Sequence, residues 1–152
     1  MFKSHRHKTK IPDTKMESTS TVTRTPPKYH TIVHFEIPAK EPSKIARFYE
    51  QLFGWKFTKM ETGGTMDYWL ISHKEAKSPD ETMGGLYKPD QNMSQQGILN
   101  YFSVKSIDVS LTQTSSLGAT IFKPKQEIPN IGHFAILTDP NGNAFALFQG
   151  RM

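Results

Sequence analysis

Two helix-stopping glycines, Gly54 and Gly118, stand at matching points of one pattern that the chain runs through twice. In the first copy, residues 30–38 alternate polar and apolar, with Phe35 and Ile37 on one face and His34 and Glu36 on the other, as in a strand with two unlike faces. Ser43 is placed to cap a helix in which Ile45, Ala46, Phe48, Tyr49 and Leu52 recur at helical spacing, up to Gly54. Trp55 and Phe57 open a strand, Gly63-Gly64 make a turn, and Met66 to Ser72 read as the partner strand. A loop from Lys74 to Glu81 leads to a short strand from Met83 to Tyr87. Residues 89–97 are polar, lack periodicity and read as a linker.

The second copy follows the same order. Ile98 to Val104 is a strand with Phe102 and Val104 on one face and Tyr101 and Ser103 on the other, and Ile107 to Leu117 is an amphipathic helix stopped by Gly118. Ala119 to Phe122 and His133 to Leu137 are strands. Asp139-Pro140-Asn141-Gly142 is a hairpin turn, its Asn-Gly pair favouring positive φ, and Asn143 to Gln149 closes the pattern. The expectation is an α+β fold of two βαβββ modules, 29–88 and 98–149, within one domain at 29–149. Each module is a sheet with a helix on one face. Pairing two of them covers the remaining faces and encloses a central cleft, where a ligand site is expected.

Charge has to be located before it is interpreted. The net +5 resides in residues 1–28, where seven Lys/Arg face Asp13 and Glu17, and 7 − 2 = +5. The remainder carries 19 − 7 = 12 basic and 14 − 2 = 12 acidic groups and is neutral. The basic stretch is rich in Lys, Thr, Ser and Pro and is expected to be a disordered tail, because it has too little apolar surface to offset the entropy of ordering. A folded part without net charge makes nucleic acid an unlikely partner. Ser4 to His7 could pick up a stray metal ion. Cysteine is absent, which excludes disulfides, thiolate catalysis and Cys-based zinc sites and suits a cytoplasmic location. No secretory signal or membrane-length apolar run is read from the sequence.

Phe48-Tyr49-Glu50-Gln51-Leu52-Phe53-Gly54-Trp55 after a first strand, with Asp139-Pro140-Asn141-Gly142-Asn143 before a last one, resembles the vicinal oxygen chelate superfamily. That group comprises glyoxalases, bleomycin resistance proteins and extradiol dioxygenases. Gly84-Gly85-Leu86 resembles its glyoxalase-like branch. The resemblance implies a cleft in which enzymatic members hold one divalent metal through the first and last strands of each copy. Carried over residue by residue, those positions fall on His34, on about Leu99, on Ala146 where a Glu is usual, and on the carboxylate-free strand Gly84 to Tyr87. One ligand position is retained, so no metal or other cofactor is expected.

The expected function is therefore the binding of a small, partly apolar molecule in the cleft. The alternative is a divalent-metal lyase, isomerase or dioxygenase of the same superfamily, built around His34. Candidate ligand-binding residues are His34, Glu36, Tyr101, Ser103, Trp69 and Phe148. Glu36 follows His34 at a spacing of about 7 Å on the same strand face, close enough for a common ion or proton. Tyr101 and Ser103 hold the matching face of the second copy. Tyr68, Phe145, Trp69 and Phe148 divide between core and cleft wall, while Trp55, His73 and His133 read as structural. The resemblance also implies a homodimer.

Overall fold

The computed structural model describes residues 28–64, 66–90 and 97–151. The expected tail and most of the expected linker therefore lie outside the described residues. The elements follow the order β1 (Ile32–Pro38), α1 (Pro42–Phe53), β2 (Lys56–Lys59), β3 (Tyr68–Ser72), β4 (Thr82–Tyr87), β5 (Leu99–Ser103), α2 (Ile107–Ser116), β6 (Thr120–Ile128), β7 (Gly132–Thr138) and β8 (Ala144–Gly150). All eight strands form one sheet in the order β2-β3-β4-β1-β5-β8-β7-β6. β1 runs parallel to β4 and β5 parallel to β8, while β1 and β5 meet antiparallel at the centre. The fold is the expected mixed α+β class.

Both helices lie on one face of this sheet. Phe35 and Ile37 of β1 point to that face and pack with Ile45, Ala46 and Tyr49 of α1, together with Ile71, Leu86, Trp55, Phe57 and Trp69. Tyr49 stacks on Trp55 with ring centroids 5.0 Å apart. In the other half Ile107 and Leu111 of α2 pack on Ala135, Leu137, Phe145 and Leu147. Phe35 pairs with Asn100, and Phe102 pairs with Leu147, so the two helix-covered regions belong to the same side of the sheet. α1 leaves Phe48, Leu52 and Phe53 exposed.

Element boundaries depart from the sequence expectation in two places. α1 begins with Pro42 after an N-cap at Glu41, not after a cap at Ser43. Proline suits the first helical position because its missing N–H has no partner there and its φ is already helical. β6 extends to Ile128, well beyond Phe122, through Lys123-Pro124-Lys125. It is the outermost strand, where a proline costs no ladder bond, and its register shifts between Lys123 and Gln126. The two helix stops differ in detail. Gly54 takes φ 71° as the left-handed cap of α1, whereas α2 is capped by Leu117, and Gly118 follows with φ 91°.

Candidate functional site

Strand alternation puts His34 and Glu36 on the sheet face away from the helices. The β1–β5 register sets His34 opposite Tyr101 and Glu36 opposite Leu99. Outward from this central pair, Glu36 lies beside Gly85 of β4, and Tyr101 lies beside Ala146 of β8. One strand further out, Leu70 faces Gly85 and Tyr68 faces Tyr87, while Ile136 faces Ala146 and Phe134 faces Phe148. The two halves thus share one register, and it matches residues in pairs: His34 with Leu99, Glu36 with Tyr101, Gly85 with Ala146, Tyr68 with Phe134, and Tyr87 with Phe148.

A hydrogen-bonded cluster occupies the first half of this face. The Tyr101 hydroxyl donates to the Glu36 carboxylate. Tyr68 brings its hydroxyl to 2.8 Å from His34 Nε2, with Glu36 nearby. A phenol has one proton to give. The Tyr68 hydroxyl donates to His34 Nε2 in one imidazole tautomer, and its oxygen accepts from Nε2–H in the other. The His34 and Tyr101 rings meet edge to face at 5.4 Å. Burial pushes the Tyr68 and Tyr101 hydroxyls far above the usual tyrosine range, and the negative Glu36 adds to the effect, so both stay protonated. Tyr87 is raised by burial and then by Glu36. His34 is lowered by burial, with Glu36 opposing, which favours the neutral imidazole.

Gly85 explains how Tyr68 gets there. A Cβ at Gly85 would lie 1.9 Å from the Tyr68 hydroxyl oxygen and 2.2 Å from the ring carbon that bears it. The phenol therefore fills the space in which a side chain on this position of β4 would begin. At Gly84 a Cβ would meet the Phe35 ring and backbone at 2.8 Å, on the helix side. The Gly-Gly pair admits an aromatic ring on each face of the sheet.

The second half of the face is apolar. Leu99, Tyr101, Ile136 and Ala146 are buried there with Phe134 and Phe148 packed against them. Tyr101 and Phe134 lie 6.3 Å apart between ring centroids. At the rim, Ser103 Oγ donates to the Lys28 carbonyl at 3.1 Å.

Of the six residues singled out from the sequence, His34, Glu36, Tyr101, Ser103 and Phe148 share this face. Trp69 does not, and its assignment is corrected. It points to the helix side with Ile71 and Leu86, and the Lys59 ammonium lies 5.5 Å from its ring centroid. Tyr68-Trp69-Leu70-Ile71 has no polar residue to fix the phase of its alternation, so the sequence does not say which ring shares the face of Glu36. Tyr68 and Tyr87 belong to the cluster and were missing from the candidates. The Gly84-Gly85 pair was their one available signal, since it marks a strand against which large rings can close.

The four positions expected to hold a metal resolve to His34, Gly85, Leu99 and Ala146. Three of them carry no donor atom in the side chain, and the fourth already bonds Tyr68. Among the described residues no group of three or more His, Cys, Asp or Glu could hold a metal ion. This donor set does not fit the superfamily's divalent ion.

A family model for the Glyoxalase/Bleomycin resistance protein/Dioxygenase superfamily matches residues 31–147. CFP32 of Mycobacterium tuberculosis, a glyoxylase by name, is 26% identical over 123 residues, covering 78% of this chain and 44% of its own. The chain thus spans less than half the length of the curated relatives it matches. Among solved structures, the hypothetical protein BH1468 from Bacillus halodurans superposes with a TM-score of 0.62 at 14% identity, over 81% of this chain and 96% of that one. Methylmalonyl-CoA epimerase from Streptomyces coelicolor, in complex with 2-nitronate-propionyl-CoA, gives 0.60 at 13% identity, over 82% and 99%. At such identities these structures share the fold.

Proposed function

Because the chain belongs to the Glyoxalase/Bleomycin resistance protein/Dioxygenase superfamily, we propose that it binds a small, partly apolar molecule on the helix-free face of its sheet, without the superfamily's usual metal. The observation that carries this reading is the replacement of three of the four ligand positions by Gly85, Leu99 and Ala146. Leu99 and Ala146 line an apolar wall, and Gly85 yields its space to the Tyr68 phenol. What remains is a binding surface with one polar corner, comparable in role to a bleomycin resistance protein.

The test is the metal content of the full chain with His5→Ala and His7→Ala, which removes adventitious tail binding, by elemental mass spectrometry after dialysis. The expected result is far below one equivalent. Near one equivalent of nickel, zinc, manganese or iron, lost on His34→Ala, would replace this reading with a metal-dependent lyase, isomerase or dioxygenase. The adjacency of His34 and Glu36 on one strand face is what favours that second reading.

Two finer statements complete the proposal. The exposed Phe48, Leu52 and Phe53 on α1 support a homodimer, to be checked by sedimentation equilibrium of the wild type against Phe48→Glu. No helix among the described residues is long and apolar enough to cross a membrane, and the cysteine-free sequence supports a reducing cytoplasm, to be checked by cell fractionation.

A further inference from the structure

Glu36 is a half-buried carboxylate without a counter-ion among the described residues. None of the ion pairs among the described residues includes it. Its hydrogen-bond donor Tyr101 and its neighbour Tyr68 are neutral phenols, and its neighbour His34 is held toward the neutral form by burial. A buried charge is costly unless it is paired, and neutral donors offset only part of that cost. The rings of His34, Tyr68, Tyr87 and Tyr101 are gathered near this carboxylate, and aromatic faces attract cations. Across the seam lies a wall with no charge of its own, formed by Leu99, Phe134, Ile136 and Ala146. On the far half of the face the Lys123 ammonium lies 5.3 Å from the Phe134 ring centroid, without an ion pair to Glu36.

Resting on the binding-face reading, we propose that the ligand is an organic ammonium, a protonated or quaternary amine on an apolar body. Its charge sits against Glu36 and its body against Leu99, Phe134 and Ile136. The carboxylate gains the counter-ion that the described residues do not supply, and the apolar half excludes water from the pair. A ligand that is anionic at the same end meets Glu36 as a like charge.

The experiment titrates the full-length protein at neutral pH with three probes of similar shape: 2-phenylethylamine, 2-phenylethanol and 3-phenylpropionate. Binding is read from the backbone amide shifts of Gly85, Leu99 and Ala146 in nitrogen–proton correlation spectra. The amine is expected to bind about tenfold more tightly than the alcohol, the gain of one charge-assisted hydrogen bond, and the carboxylate most weakly. Glu36→Gln should bring the amine to within about twofold of the alcohol and leave the alcohol unchanged. Tyr101→Phe removes a donor to the carboxylate without removing its charge and should keep the preference for the amine. This second variant carries the test if Glu36→Gln does not fold. Equal affinity for all three probes, or an amine preference that survives Glu36→Gln, overturns the ammonium assignment and leaves the binding face intact. No shift at Gly85, Leu99 or Ala146 with any probe overturns the binding face as well.

Discussion

His34 and Leu99, Tyr68 and Phe134, Tyr87 and Phe148, and Gly85 and Ala146 occupy equivalent positions in the two halves, because the same strand register runs through both. In each aromatic pair the second half has the ring without the hydroxyl. In the imidazole pair it has an alkyl group of similar reach. Glu36 is matched by Tyr101, whose hydroxyl reaches back across β1–β5 to bond it. A repeated backbone has thus been given two kinds of side chain, a hydrogen-bonding corner and an apolar wall, with the boundary along the central pair of strands. Repetition of the fold sets where side chains stand, and it leaves their chemistry free to diverge.

The contrast is most exposed at Gly85 and Ala146. Gly85→Ala puts a methyl group onto the Tyr68 phenol, so it combines overpacking with a broken polar cluster and should cost about 3 kcal/mol in urea unfolding. A cost below about 1 kcal/mol would mean that Tyr68 moves aside freely and that the two halves are not constrained differently. Next in size is Tyr68→Phe, which gives the first half the ring of the second. It should cost about 2 kcal/mol by leaving the partly buried His34 Nε2 short of its partner. The reciprocal Phe134→Tyr has no such cluster to join, so a gain in stability from it would break the comparison. Ala146→Gly, which gives the second half the residue of the first, should cost only about 1 kcal/mol, since no ring is waiting to fill the space.

The smallest effect is one of pH. Burial lowers the folded-state pKa of His34, so the unfolded chain binds its proton more readily. That contribution to stability is complete above about pH 6.5, the unfolded value, and is lost as pH falls toward the lowered folded value. Its slope cannot exceed about 1.4 kcal/mol per pH unit. Wild type should lose more stability than His34→Gln between neutral and mildly acidic pH, measured by urea unfolding at each pH. Parallel curves would show that His34 does not contribute to the acid sensitivity.

The sequence made β1 and β5 readable because polar and apolar residues alternate there without interruption. His34, Glu36, Tyr101 and Ser103 could be put on one face for that reason, and the spacing to Gly54 and the Asp139 turn identified the superfamily. β3 gave no such purchase. Its four consecutive large residues, Tyr68 to Ile71, suit either phase, and only the contact with His34, far away in the chain, selects Tyr68 over Trp69. Gly84-Gly85 was legible as a family mark, but its steric role depends on Phe35 and Tyr68 closing from two other strands. The length of β6 was hidden by Pro124, which reads as a break until the strand is known to lie at the sheet edge.

The antiparallel seam between β1 and β5 also sets a schedule. As the chain emerges from the ribosome, β1 appears first, yet both strands that flank it, β4 and β5, are made much later. Until then its backbone groups lack their partners, and an unpaired strand edge is a template for pairing with another molecule. The seam that holds the binding corner against its wall is closed only when Leu99 to Ser103 arrives. A nascent or truncated chain ending before β5 would present an open, sticky edge together with an unshielded Glu36, and a ligand bound across the finished seam would help to hold it shut.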